Sequence, residues 1–159
     1  TQYGLLINDE IDERYNLEKA TRVACKYFKE ANLKSGSWTA AAASYNMGIS
    51  GVIRQQTLQG ETAYYHLWLN TETSRYVQRI IALKIIQQNQ KEYGFYLNKE
   101  DLYPEFKYTT QQVNGAVNWI TFAKQNNINY KLLRIYNPWI RDYNLVNREK
   151  KTFEVKIPV

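Results

Sequence analysis

Residues 37–48 read SWTAAAASYNMG, and the abrupt change inside that stretch decides how the chain is organised. Ser37 suits a helix N-cap, because its hydroxyl can accept from a first-turn amide that has no helical partner. Ala40, Ala41, Ala42 and Ala43 follow, with the best intrinsic helix propensity and no bulk, so the helix can pack closely on its neighbours. Gly48 ends it, since glycine takes the left-handed conformation that closes a helix without steric cost. The last turn before that stop carries Tyr45 and Asn46, a phenol beside an amide. The expectation is a small-residue helix running to about Asn46, with two hydrogen-bonding side chains where it emerges.

On the N-terminal side, Asn16 caps an earlier helix whose Ala20, Val23, Ala24, Tyr27, Phe28 and Ala31 recur at three- and four-residue steps on one face. Asn32 to Gly36 breaks it, and the single Cys25 reads as a buried helix thiol. On the C-terminal side, residues 51–68 are irregular and rich in Gln, Tyr and Gly, which predicts a loop with one short helical turn at most. Asn70 or Thr71 then caps a long helix, with Glu72 in its first turn and Val77, Ile80, Ile81, Leu83, Ile85 and Ile86 carrying it to about Asn89. Its wide apolar surface predicts a central place in a helical bundle.

Periodicity is lost around Pro104, which places a boundary at residues 97–105. Beyond it, EFKYTT alternates as a strand and QVNGAVNWITFAKQN reads as a helix with Val113, Val117, Ile120 and Ala123 or Phe122 inward. NYKLLRIYNP reads as a second helix stopped at Asn137-Pro138, and KTFEVKIP as a closing strand. The expected division is residues 1–97, a linker at 98–105, and a βααβ module at 106–159. No tandem repeat or low-complexity tract is present.

Composition narrows the classes. With 44% apolar and 23% charged residues the chain is globular in character, and no apolar run approaches the roughly 18–20 residues of a membrane span. The net charge of +6 is not gathered into a basic stripe, which argues against nucleic acid and suits an anionic polymer. Fourteen tyrosines exceed what a core of this size uses, and rings with a polar tip suit sugar faces. One cysteine and one histidine leave no ligand set for a transition metal, and no cofactor motif is present. His66 lies in a loop without a serine or cysteine partner, so a hydrogen-bonding structural role is expected. Asp9, Glu10, Asp12 and Glu13 of DEIDER read as charge at a helix entrance or a salt bridge to Arg14, in preference to a catalytic acid.

Three segments in order, INDEIDERYNLEKATRVACKYFKE, AAAASYNMGISGV and LNTETSRYVQRIIALKII, resemble the second half of the catalytic domain of lytic transglycosylases of glycoside hydrolase family 23. The D-type branch common in Bacteroidetes is the nearest pattern. YKLLRIYNPWIR and TFEVKIP are similar, more loosely, to the LysM-like module that follows this domain. The resemblance implies a mainly α fold: part of a lysozyme-like helical bundle, then a small α+β LysM-like module.

The same resemblance implies site residues. Tyr45 and Asn46 match the family's A-Y-N motif and would line the glycan cleft; Tyr76 matches the tyrosine of its E-T-x-x-Y-V motif, which lies near the catalytic acid. Ser44 in place of the usual alanine, and Met47 and Ile49 where A-G-P is frequent, depart from the pattern. The family cleaves between N-acetylmuramic acid and N-acetylglucosamine, one glutamate serving as acid and then base while the muramyl 6-hydroxyl closes a 1,6-anhydro ring. A single carboxyl suffices because the nucleophile is within the substrate. That glutamate's E-S motif is not found in this sequence, so the chain is expected to be inactive alone. The expected partner is peptidoglycan glycan in the bacterial cell envelope, with no cofactor. A homo-oligomer, or the tail, is expected to cover apolar surface on Val77 and Ile81. The competing reading is a noncatalytic peptidoglycan- or chitooligosaccharide-binding protein, with Tyr108, Trp119, Tyr130 or Trp139 stacking on sugars.

Overall fold

The computed structural model describes residues 2–159. They form two compact units: one of the residues up to Val23 together with Tyr103–Val159, the other Ala24–Leu102. No described helix is long and apolar enough to cross a membrane.

The helical unit is built around the alanine helix. Helix α1 spans Leu17–Ser35, and the Asn16 side chain accepts from Lys19 N at 3.1 Å as expected of a cap. Gly36, at φ +81°, turns the chain into α2, Trp38–Met47, where Ser37 Oγ accepts from Ala40 N at 3.1 Å. Residues expected as loop form α3, Ile49–Gln59, with Val52 buried. Gly51 disguised it, yet one glycine costs a helix only about 1 kcal/mol and Ile49, Val52, Ile53 and Gln56 keep helical spacing. Gly60, at φ +62°, supplies the stop. A single 3-10 turn, Tyr64–His66, leads to Asn70, whose side chain caps α4, Thr71–Gln88, by accepting from Thr73 N at 2.9 Å.

Helix α2 packs on α3 and α4, and its alanines give the core its closeness: Ala40 and Ala43 join Val52, Tyr64 and Val77. Two expectations fail here. Only Thr73 and Val77 of α4 are buried, while Ile80, Ile81, Leu83 and Ile85 are exposed, so its wide apolar face does not lie at the centre of this unit. Cys25 is exposed as well, on the side of α1 away from Tyr27 and Ala31.

The second unit is a small α+β module. Strand β1, Tyr108–Val113, pairs antiparallel with the last of the four strands, β4, Phe153–Pro158, in the register Tyr108↔Pro158 to Val113↔Phe153. A short β2, Val117–Asn118, pairs with β3, Asn144–Leu145. Helices α5, Trp119–Gln125, and α6, Tyr130–Tyr136, lie between β2 and β3 in sequence, capped by the side chains of Asn118 and Asn129. The helix expected from Gln112 therefore begins only at Trp119, because Asn114-Gly115 turns the chain first. Val113 points inward from a strand, Phe122 and Ala123 from α5, and Ile120 is exposed. Trp119, Leu133, Ile140, Leu145 and Val155 form the heart of this core.

Ile11 belongs to that core too, with no exposure. It bridges to Ile140, while Asp12 N donates to Trp139 O at 2.8 Å and Arg141 N to Glu10 O at 2.9 Å. The acidic run is thus structural, as expected: Asp12 binds Arg14 with Nη2 at 2.6 Å. Glu13, also buried, accepts from Leu6 N at 2.8 Å and pairs with Lys19.

Candidate functional site

The end of α2 is held by its own backbone. Ser44, buried, donates its hydroxyl to Ala41 O at 2.6 Å, and its carbonyl accepts from both Gly48 N at 2.7 Å and Tyr27 Oη at 2.6 Å. A serine at this position is therefore satisfied inside the helix and needs no ligand. Gly48 adopts φ +80°, and the two residues before Met47, Tyr45 and Asn46, are both exposed.

Asn46 meets α4 at Thr73. Asn46 Oδ1 accepts from the Thr73 hydroxyl at 2.7 Å, and Tyr76 follows Thr73 by three residues, on the same face of that helix. Tyr76 is half-buried. Tyr64 braces this turn, its buried hydroxyl reaching the carbonyl oxygens of Thr73 at 2.8 Å and Ser74 at 2.9 Å. Burial is also what pushes the Tyr64 phenol above its ordinary pKa. Tyr45 turns elsewhere, onto the Phe28 ring of α1. Tyr27, Phe28 and Thr73 were not singled out from sequence as parts of the site. The Thr-x-x-Tyr spacing of TETSRYV was the signal for Thr73, whereas Phe28 gave none beyond its place on the apolar face of α1.

The chemistry offered by Tyr45, Asn46 and Thr73 is hydrogen bonding and ring contact. Asp12 is held below the usual carboxylate range chiefly by the Arg14 side chain, Glu18 by Lys156, and Glu61 by the Ala63 amide and then His66. A general acid needs the opposite shift. His66 is exposed and shares a 3.0 Å contact with Glu61 Oε2, the structural role expected of it. Among the described residues no three His, Cys, Asp or Glu side chains gather as a metal site. Three cavities of about 460, 410 and 220 Å³ lie in the α+β unit, and none is lined by Tyr45, Asn46 or Tyr76. Of the rings that the competing reading would stack on sugars, Trp119 and Trp139 are core, Tyr108 is 40% exposed with Lys156 Nζ 4.7 Å from its ring centroid, and Tyr130 leans on Tyr143.

Residues 1–68 match the transglycosylase SLT domain, and residues 109–159 match the soluble lytic transglycosylase C-terminal LysM-like domain. Both matches are to domains of lytic transglycosylases, each over less than half of the chain. Its SLT segment ends on the loop before α4, so it contains Tyr45 and Asn46, and its LysM-like domain takes in β1 through β4. The membrane-bound lytic murein transglycosylase D of Escherichia coli K12 is 31% identical over 104 residues, as is the protein of that name from E. coli O6:H1 strain CFT073. In both comparisons 62% of this chain is aligned, and the chain spans 23% of the relative's length.

Proposed function

We propose that this chain is part of a lytic transglycosylase and supplies one wall of a peptidoglycan cleft, in a protein that cleaves between N-acetylmuramic acid and N-acetylglucosamine without water and leaves a 1,6-anhydro end. The observation that carries the reading is the joining of exposed Asn46, at the end of α2, to Thr73, one turn before Tyr76 on α4. Tyr45, Asn46 and Tyr76 are its substrate-binding residues. The proton donor is a glutamate that is not among the residues of this sequence, and the downward shifts of Asp12, Glu18 and Glu61 support that none of these takes its place. The bacterial cell envelope is where such a substrate lies. The reading keeps residues 1–97 as transglycosylase domain, 98–105 as linker and 106–159 as LysM-like module; every residue from 87 to 112 is exposed, as a connecting stretch would be. It also includes self-association through the exposed Ile80, Ile81, Leu83 and Ile85 of α4.

Digestion of purified peptidoglycan is the test. The 159-residue chain should release no 1,6-anhydro muropeptides, and a protein that also carries the glutamate-bearing segment ahead of Thr1 should release them. Tyr45→Ala or Asn46→Ala in that longer protein should raise KM. Release by the 159-residue chain itself sinks the missing-acid argument, and unchanged kinetics in both variants returns the two residues to structure. A glycan-binding role without chemistry would show instead as retention of the chain on insoluble peptidoglycan with no product from either form.

A further inference from the structure

The Asn46 side chain has two chemically opposite ends, a carbonyl that accepts and an NH₂ that donates. Which end faces outward determines the ligand group it can hold. In the structure Oδ1 is occupied, accepting from the Thr73 hydroxyl at 2.7 Å. Thr73 has no solvent exposure, and a hydroxyl carries a single proton. Turning the amide over would set its NH₂ against Thr73 Oγ1 and leave that proton buried without an acceptor, a costly arrangement. The backbone that carries this hydroxyl is anchored, because Asn70 Oδ1 holds the Thr73 amide at 2.9 Å and Tyr64 Oη its carbonyl at 2.8 Å.

We propose that Thr73 is a positioning residue that fixes the Asn46 amide with Nδ2 outward, so that the cleft selects a sugar group that accepts a hydrogen bond. The acetamido carbonyl of an N-acetylated sugar is such a group. The ammonium of the de-N-acetylated sugar is not, and against Nδ2 it meets donor with donor. The inference rests on the cleft reading of Asn46 given above.

The +6 chain should prefer a neutral oligomer to a cationic one in any case, so the informative quantity is how a charge-neutral substitution changes that preference. The chain is titrated calorimetrically with the N-acetylglucosamine tetramer and with its fully de-N-acetylated counterpart. Thr73→Val keeps the shape and removes the proton, and it should lower the ratio of the two affinities about tenfold, while Thr73→Ser restores it. An unchanged ratio in Thr73→Val, with Asn46→Ala still weakening binding, overturns the positioning role and leaves the cleft intact. No binding of either tetramer by the unsubstituted chain overturns both. Amide orientation has a ligand-free readout as well, independent of whether Thr73→Val folds. The Asn46 NH₂ protons should exchange with water and show no strong nuclear Overhauser contact to Thr73 side-chain protons. A strong contact there overturns the inference on its own.

Discussion

Phe28 and Tyr45 stack face to face, with ring centroids 5.1 Å apart and planes 17° from parallel. Tyr27 meets the same tyrosine edge-on, at 5.7 Å and 82°. Tyr45 is 54% exposed, so α1 holds one side of its ring and leaves the rest to solvent. Aromatic pairs of this kind contribute about 0.5–1.5 kcal/mol beyond the area they bury. A double-mutant cycle of Phe28→Leu and Tyr45→Leu, read by urea denaturation, should therefore give a coupling of about 1 kcal/mol. Phe28→Leu should also weaken binding of N-acetylglucosamine oligomers several-fold, with Phe28→Tyr close to the unsubstituted chain. Zero coupling would mean the stack does not hold Tyr45 in solution.

Asn137 does for the α+β unit what a ladder hydrogen bond would do. It is fully buried, and its Nδ2 donates to Leu133 O at 2.9 Å and Lys156 O at 2.7 Å while Oδ1 accepts from Lys156 N at 2.8 Å. The end of α6 is thereby tied to the outer side of β4, the side that β1 leaves unpaired there. Asn137→Ala strands two backbone groups of Lys156 away from water, and each such loss costs about 1–3 kcal/mol. The expected destabilisation is about 3 kcal/mol by chemical denaturation. Asn137→Asp should be worse, because a carboxylate cannot donate to either carbonyl. A loss within the error of the measurement would show that water takes over these bonds.

What was legible in the sequence was whatever local chemistry controls. Ser37, Asn70 and Gly48 announced the limits of α2 and α4, since a cap needs only its own turn. Alternation in KTFEVKIP announced β4, whose Phe153, Val155 and Ile157 are all buried. Legibility ended where tertiary contact decides. Ile11 sits in an acidic run that reads as surface, yet it is buried among residues about 100–145 positions away, and nothing local marks it. The apolar length of α4 signalled burial, but periodicity records what a face can pack against and says nothing of whether a neighbour is present. At the site, sequence likeness pointed to Tyr45, Asn46 and Tyr76, and missed the two side chains that orient the first two. Phe28 and Thr73 act through geometry across helices, which spacing along one helix does not encode.

Asp12 is held below the ordinary carboxylate range mainly by its hydrogen bonds from Arg14, against the opposing effect of burial, and Glu18 mainly by its hydrogen bond from Lys156. For Lys156 burial works downward, but the hydrogen bond and charge of Glu18 outweigh it, and its pKa is raised. A carboxyl whose folded pKa is depressed binds protons less tightly in the folded chain than in the unfolded one. Its contribution is therefore complete above the unfolded value, about 4, and is lost as pH falls through the lower folded value. A raised lysine behaves oppositely: its share is present below about 10.4 and is lost as pH rises through the folded value. Urea midpoints should thus be flat through neutral pH, fall below about pH 4 and fall again above about pH 10. Glu18→Gln removes one of the carboxyls and the partner of Lys156, so it should lower the plateau and make both limbs shallower. Because the Glu18 side chain is 43% exposed, 0.5 M salt should shrink the difference between the two proteins by screening the pair. Curves that run parallel from acid to alkali would mean that the Glu18–Lys156 contact adds nothing to folding.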